Sequence, residues 1–533
     1  MSLMTHLARM EAADTGRARP LATVRHRHLA DRPMVVVPLT TAGETGAPLG
    51  VILGTDPERP VLLTVAQPRD RDLRSAFLAE LADALLPCLE SCQDDTEQVR
   101  DDAELCRDAP QLLVPNRAGV EFVRLLGRAT RFRRTAEEDP AATHPAPPRV
   151  PLLGRWLSHY GDRARVPGSS LLLAMTDVLS RHWATGQSSL EDQHLGALLA
   201  WLDPPDGLHG ARAALLVETA RDETGQLRTP PAGPATDPAF DNRLLVPAMA
   251  RHDAGLPGAA DEVRELVGSR LRPVWEQMWR CVALLRELPP GERVAGRWES
   301  DRWSYTAHRD RLRAGEPPQP RRDDAVTAAR KLAVRERDQA RLAAQEALDD
   351  PLVMAERRLT GEAFTGVVTA VEPGWSEGRR PMPRPLVTVE TDDEPLLTPG
   401  TKVYRVLPSG ATQAAELLTG RDGSGGRADG SGGPEPVVVR LVNGMGRSKE
   451  PAPGTVPEVG ERLCWTLFEH APRGGPALPE PEDTPWTHGG PPEPPAAVPP
   501  PRTPAPGGGT APVNAAELLH TALPDPATPE DLL

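Results

Sequence analysis

Hydrophobic positions change their spacing along the chain, recurring at short intervals typical of strands up to about residue 65, at helical intervals from about 71 to 350, and at every second position again beyond Gly361. The first stretch predicts four short strands, Leu21–Leu29, Met34–Leu39, Ala47–Leu53 and Val61–Val65, broken by Asp31-Arg32-Pro33, by Gly43 to Gly46 and by Gly54 to Pro60. Connections this short favour an antiparallel meander. A helix opening near Asp72 aligns Leu73, Phe77, Leu78, Leu81, Leu85 and Leu89, with Pro87 expected to kink or end it, and covers one face of the meander. Strand-like Gln111 to Val114 follows, then an N-cap at Asn116 and a helix carrying Val120, Val123, Leu125 and Leu126. The segments so defined are an α+β domain over 1–135, a Pro/Ala-rich linker over 136–150 and an all-α domain over 151–322. Within the last, Gly168-Ser169-Ser170 reads as a helix N-cap, and Ser189 with Asp192 approximates a capping box ahead of Leu195, Leu198 and Leu199.

Residues 323–360 read as one long charged connecting helix, with Ala329, Ala333, Ala340 and Ala347 near heptad spacing and Glu336 breaking the seam. Beyond it Phe364–Val371, Leu386–Thr391, Val403–Leu407, Val437–Val442 and Arg462–Phe468 predict five strands, a small barrel-like module of the OB or SH3-like kind over 361–470. Asp-Gly-Ser-Gly-Gly occurs twice between the third and fourth, which predicts a mobile loop. The fold class expected is therefore multidomain α+β. The final segment, 471–533, holds 18 Pro and a charge of −6, too little apolar surface to offset ordering entropy, and is expected to be disordered.

Composition narrows the function. Of 61 cationic side chains only Lys331, Lys402 and Lys449 are lysines, and Ile52 is the single isoleucine. This usage resembles that of high-GC actinobacterial proteins, so arginine abundance is codon bias before it is nucleic-acid chemistry. A net charge of −14 points the same way, because proteins that track phosphates usually carry a basic field. No run approaches the ~20 apolar residues of a membrane span, and Met1 to Arg19 lacks the pattern of a signal peptide. Five scattered cysteines suit a reducing compartment, and the cytoplasm is the expected location.

The motifs that carry chemistry fall short. Gly444-Met445-Gly446-Arg447-Ser448-Lys449 precedes Pro451 rather than the helix a phosphate loop needs. Cys88, Cys92 and Cys106, even with His26 or His28, lack a second knuckle for zinc. Asp237, Asp241, His252 and Asp253 read as caps and surface, and the Glu191–His194 pair has no second pair with which to build a di-metal site. No cofactor and no metal are expected.

Two arginine/aromatic clusters remain. One places Arg297, Trp298, Arg302, Trp303, Tyr305, His308, Arg309, Arg311 and Arg313 within 17 residues. The other sets Trp375, Arg379, Arg380 and Arg384 between the first two barrel strands, where OB-folds hold oligonucleotides. The window 111–135 adds six arginines against Glu121. The expected role is a non-enzymatic cytosolic accessory or scaffold protein with unidentified protein partners. The tail islands at Trp486 and at Leu518, Leu519 and Leu523 would dock by ordering on contact. Single-stranded nucleic-acid binding through Trp375, Arg379, Arg380, Arg384, Trp298, Arg302 and Trp303 is the runner-up, and an enzyme of unrecognised class the third reading.

Overall fold

The computed structural model describes residues 3–44, 46–99, 103–231, 233–318, 325–377, 379, 381–395, 397–419, 436–446 and 448–472. Trp486, Leu518, Leu519, Leu523, Arg380 and the Gly/Ser loop lie outside them, as does nearly all of 471–533. In chain order the first half runs α1 (Leu3–Thr15), β1 (Arg19–Pro20), β2 (Met34–Thr40), β3 (Pro48–Gly54), β4 (Val61–Thr64), α2 (Arg71–Leu89), β5 (Thr96–Gln98), β6 (Glu104–Cys106), β7 (Leu112–Val114), α3 (Arg117–Thr130), α4 (Val150–Arg163) and β8 (Leu172–Ala174). Then come α5 (Met175–His182), β9 (Trp183–Ala184), α6 (Leu195–Leu202), α7 (Gly210–Thr219), α8 (Pro238–Phe240), α9 (Val246–Asp253), α10 (Ala259–Arg286), α11 (Val294–Arg313), α12 (Ala325–Asp349) and α13 (Pro351–Leu359). The C-terminal strands are β10 (Ala363–Glu372), β11 (Leu386–Thr391), β12 (Lys402–Val406), β13 (Thr412–Thr419), β14 (Val437–Leu441) and β15 (Arg462–Thr466).

The body is a five-stranded sheet in the order β4-β3-β2-β7-β8, antiparallel through β2 and parallel from β2 to β8. Strand alternation divides its side chains between two cores. Met34, Val36, Val51, Leu53, Leu112 and Leu172 face α2, α3, α4 and α11. Val35, Val37, Ile52, Leu113 and Leu173 face α5, α6, α9 and α10. Burial on both faces explains the uninterrupted apolar runs of β2 and β3, which a half-exposed meander does not need.

Several expectations are corrected. The segment 21–29 is no sheet strand: Thr23 and Val24 bond to Asp350, and Arg25 meets Pro290 in an isolated bridge. The segment 151–322 is not all-α, because β8 lies inside it and pairs with β7, so one sheet draws on both sides of 136–150. Ser169 and Ser170 cap no helix there; the Ser169 hydroxyl and the Ser170 amide both bond to Asp301. The capping box is formed by Ser188 and Glu191 one residue earlier, and α6 is capped by His194 Nδ1. The α2 helix runs through Pro87 to Leu89, a position close enough to its end that little hydrogen bonding is lost.

The connecting helix is two helices, broken at Asp350, whose carboxylate caps α13 at Leu352 N and accepts Thr23 N, Thr23 Oγ1 and Val24 N. Asp349 beside it accepts Arg293 Nη1 at 2.7 Å. Both carboxylates are fully buried, so this pair fastens the C-terminal arm to the body. The C-terminal module is a closed, antiparallel barrel of six strands, β10-β11-β14-β13-β12-β15, rather than five. The strand absent from the sequence reading is β13, which carries no β-branched residue between its terminal threonines.

Candidate functional site

The most chemically loaded cavity lies where α4, α11, residues 316–318 and α12 meet. On α4, Trp156, His159 and Tyr160 occupy i, i+3 and i+4 and share one face; on α11, Tyr305 and His308 answer at i and i+3. Trp156 stacks on Tyr305 at 5.2 Å and presents an edge to His308 at 4.7 Å. His159 and His308 lie face to face at 4.2 Å, with their planes only 8° apart. Two glycines permit the close approach of α3 that completes the wall. A Cβ on Gly127 would meet Ser158 N at 2.5 Å, and one on Gly154 would meet Arg131 N at 2.4 Å.

The cavity holds about 250 Å³ and is lined by Arg131, Arg155, His159, Arg163, His308, Arg311 and Lys331, with Asp162 and Glu316 as the carboxylates among the described residues. Arg155 donates to Glu316 O at 2.6 Å, and Arg163 to Asp301 Oδ1 at 2.6 Å. Burial first, then the Arg311 and Arg155 charges, push His308 down to about 3. His159 is lowered too, by burial and then by His308, Arg163 and Arg311. Both imidazoles are therefore neutral at pH 7, each offering one N–H and one lone pair, and the Nε2 atom of each is buried without a hydrogen-bond partner. A cationic rim around neutral, unsatisfied imidazoles suits an anionic ligand that also carries hydrogen-bonding atoms. It does not suit proton shuttling near neutrality, for which a pKa near the working pH is needed.

The arginine/aromatic run of α11 is largely spent on structure. Trp298 is buried, donates Nε1–H to Asp108 and stacks on His28 at 3.9 Å. Arg302 donates to Cys106 O and pairs with Glu97; Arg309, only 1% exposed, reaches Gln93 O and Glu104; Arg313 pairs with Asp94. These bonds tie α11 to the β5–β6 hairpin. Trp303 is 38% exposed. In the barrel, Trp375 is 58% exposed beside an isolated bridge to Pro383, Arg379 is exposed, and Arg384 donates to Pro383 O.

The remaining candidates resolve as follows. His26 meets Asp350 and His28 meets Trp298, so neither joins the cysteines, and burial raises the Cys88 thiol to about 11. Asp237 caps α8, Asp241 accepts Ala42 N, and Asp253 accepts Gln67 Nε2. Among the described residues no cluster of three His, Cys, Asp or Glu side chains is placed to hold a metal ion, and no helix is long and apolar enough to cross a membrane. Sequence reasoning missed His159, Arg155 and Arg163 as site residues. Their signal was the aromatic i, i+3, i+4 face of α4, legible only with its partner helix identified. Compared with known proteins, the chain matches no protein-family model, no curated protein and no solved structure.

Proposed function

We propose that the protein is a non-enzymatic accessory protein that binds a small organic anion in the α4–α11 cavity and acts through assembly with other macromolecules. The His159–His308 stack carries this reading: two neutral rings with unpartnered nitrogens, held inside a rim to which Arg155, Arg163 and Arg311 contribute. Charge-assisted bonds from guanidinium to carboxylate or phosphate are the strong ones, and Arg311 makes none to the described protein. Assembly is supported by the barrel's own apolar core, a cluster distinct from the two cores that flank the sheet. Calorimetric titration with citrate and with a nucleoside monophosphate tests the cavity. Saturable binding weakened about tenfold or more by Arg311→Gln, equivalent to about 1.4 kcal/mol, is the expected result. Heats unaffected by Arg311→Gln and by His308→Phe would remove the reading.

A second reading, single-stranded nucleic-acid binding by the barrel, is favoured by one contrast. Trp465 is buried in the barrel core, while Trp375 stands more than half exposed with arginines beside it, the combination that stacks bases. An oligonucleotide mobility shift at low salt, lost in Trp375→Ala and weakened by added salt, is its expected signature.

A further inference from the structure

A second cavity gathers three arginines around little opposing charge. The first turn of α2 supplies Arg71 and Arg74, and the turn after α3 supplies Arg133; together with Asp72 and His144 they line a space of about 360 Å³. Three nearby arginines hold carboxylates: Arg69 pairs with Glu44, Arg134 with Asp139, and Arg149 with Asp83 and Glu90. Arg71, Arg74 and Arg133 differ, for none of their side chains makes a hydrogen bond or ion pair with a described residue. The nearby Asp70 carboxylate is already committed to Asp72 N and Leu73 N as the α2 cap, leaving Asp72 as the one carboxylate in the lining.

Convergent like charges repel, and the repulsion grows as solvent is excluded. Burial, reinforced by Arg71 and Arg74, lowers the pKa of Arg133, which like Arg74 is half-buried. An anion in the cavity reverses that penalty and also satisfies guanidinium donors with bidentate geometry. The volume exceeds what a bare oxyanion needs and falls at the small end of organic-ligand sites. His144 and the hydroxyl residues Ser75 and Thr143 on the lining supply polar contacts for the remainder of such a molecule.

We propose that the cavity formed by Arg71, Arg74 and Arg133 binds a phosphomonoester, with the guanidiniums on the phosphate and the organic part in the remaining volume. This site is built from α2 and the turn after α3, and stands independently of the α4–α11 cavity.

Titration of the full chain with phenyl phosphate and with inorganic phosphate, at fixed ionic strength, tests it. Phenyl phosphate is expected to bind more tightly than inorganic phosphate, and its affinity to fall at least tenfold in Arg133→Gln and in Arg71→Gln/Arg74→Gln, while Arg311→Gln stays within twofold of the unmutated protein. Loss of binding in Arg311→Gln alone would assign the ligand to the other cavity and overturn the proposal. So would the absence of binding, or affinities unchanged in the trio variants. Phenylglyoxal labelling followed by mass spectrometry gives a readout in the unmutated protein. Phenyl phosphate should slow modification of Arg71, Arg74 and Arg133 severalfold, and no protection would overturn the assignment.

Discussion

On α11, Trp298, Arg302 and Arg309 turn inward and are consumed by Asp108, Cys106 O, Glu97, Gln93 O and Glu104. In the barrel, Trp375 and Arg379 have the same residue types and stand at the surface of a strand connection. The difference comes from what each segment is packed against. A helix wedged between a sheet and a hairpin has polar backbone on one side and apolar core on the other, so long amphipathic side chains are used as braces. A strand connection on a closed barrel runs at the surface, and its tryptophan stands more than half exposed there.

The contrast can be broken most severely at Asp301, the fully buried acid of α11 that accepts Arg163 Nη2, Ser169 Oγ and Ser170 N. Asp301→Ala strands Arg163 and is expected to cost about 3–5 kcal/mol in chemical denaturation. Arg309→Ala removes the charge-assisted bond to Gln93 O and the Glu104 pair from a side chain 1% exposed, and should cost about 1.5–3 kcal/mol by the same assay.

Acid should sharpen the contrast. The body buries His182, pushed down to about 4 mainly by burial, and His308, pushed to about 3. Their folded values lie below the unfolded value near 6.5, so the unfolded chain binds more protons and stability rises with pH across this window. The contribution is fully present above about 6.5 and is lost as pH falls toward 4, at about 1.4 kcal/mol per pH unit for each imidazole. Denaturation midpoints measured from pH 7 to 4 should show this slope, reduced in His308→Phe. Trp375→Ala marks the small end: a stability change within about 0.5 kcal/mol, against loss of any oligonucleotide shift.

Much of the secondary structure was legible because it is local. β2, β3, β4, α2, α3 and five of the six barrel strands follow from periodicity and, for α3, from the cap at Asn116. What escaped was short or compositionally ambiguous. β8 is three residues inside a helical context, β13 has no β-branched residue between its terminal threonines, and the break at Asp350 depends on partners more than 300 residues away. The α4–α11 site was only half visible. Tyr305, His308 and Arg311 stood out as a dense run, but His159 became meaningful only when α4 was laid against α11.

The sequence by itself determined the helical and β spacing, the switch of period at Gly361 and the presence of arginine/aromatic runs, since each depends on residues within a few turns of one another. Tertiary structure alone decided that β7 and β8 join the N-terminal strands in one sheet, that the barrel closes through β13, and which arginines have carboxylates. Arg309 and Arg133 illustrate the last point: both sit in basic stretches, yet one reaches Glu104 and the other faces Arg71 and Arg74. Charge pairing is set by neighbours brought together from distant parts of the chain, and local composition carries no record of them.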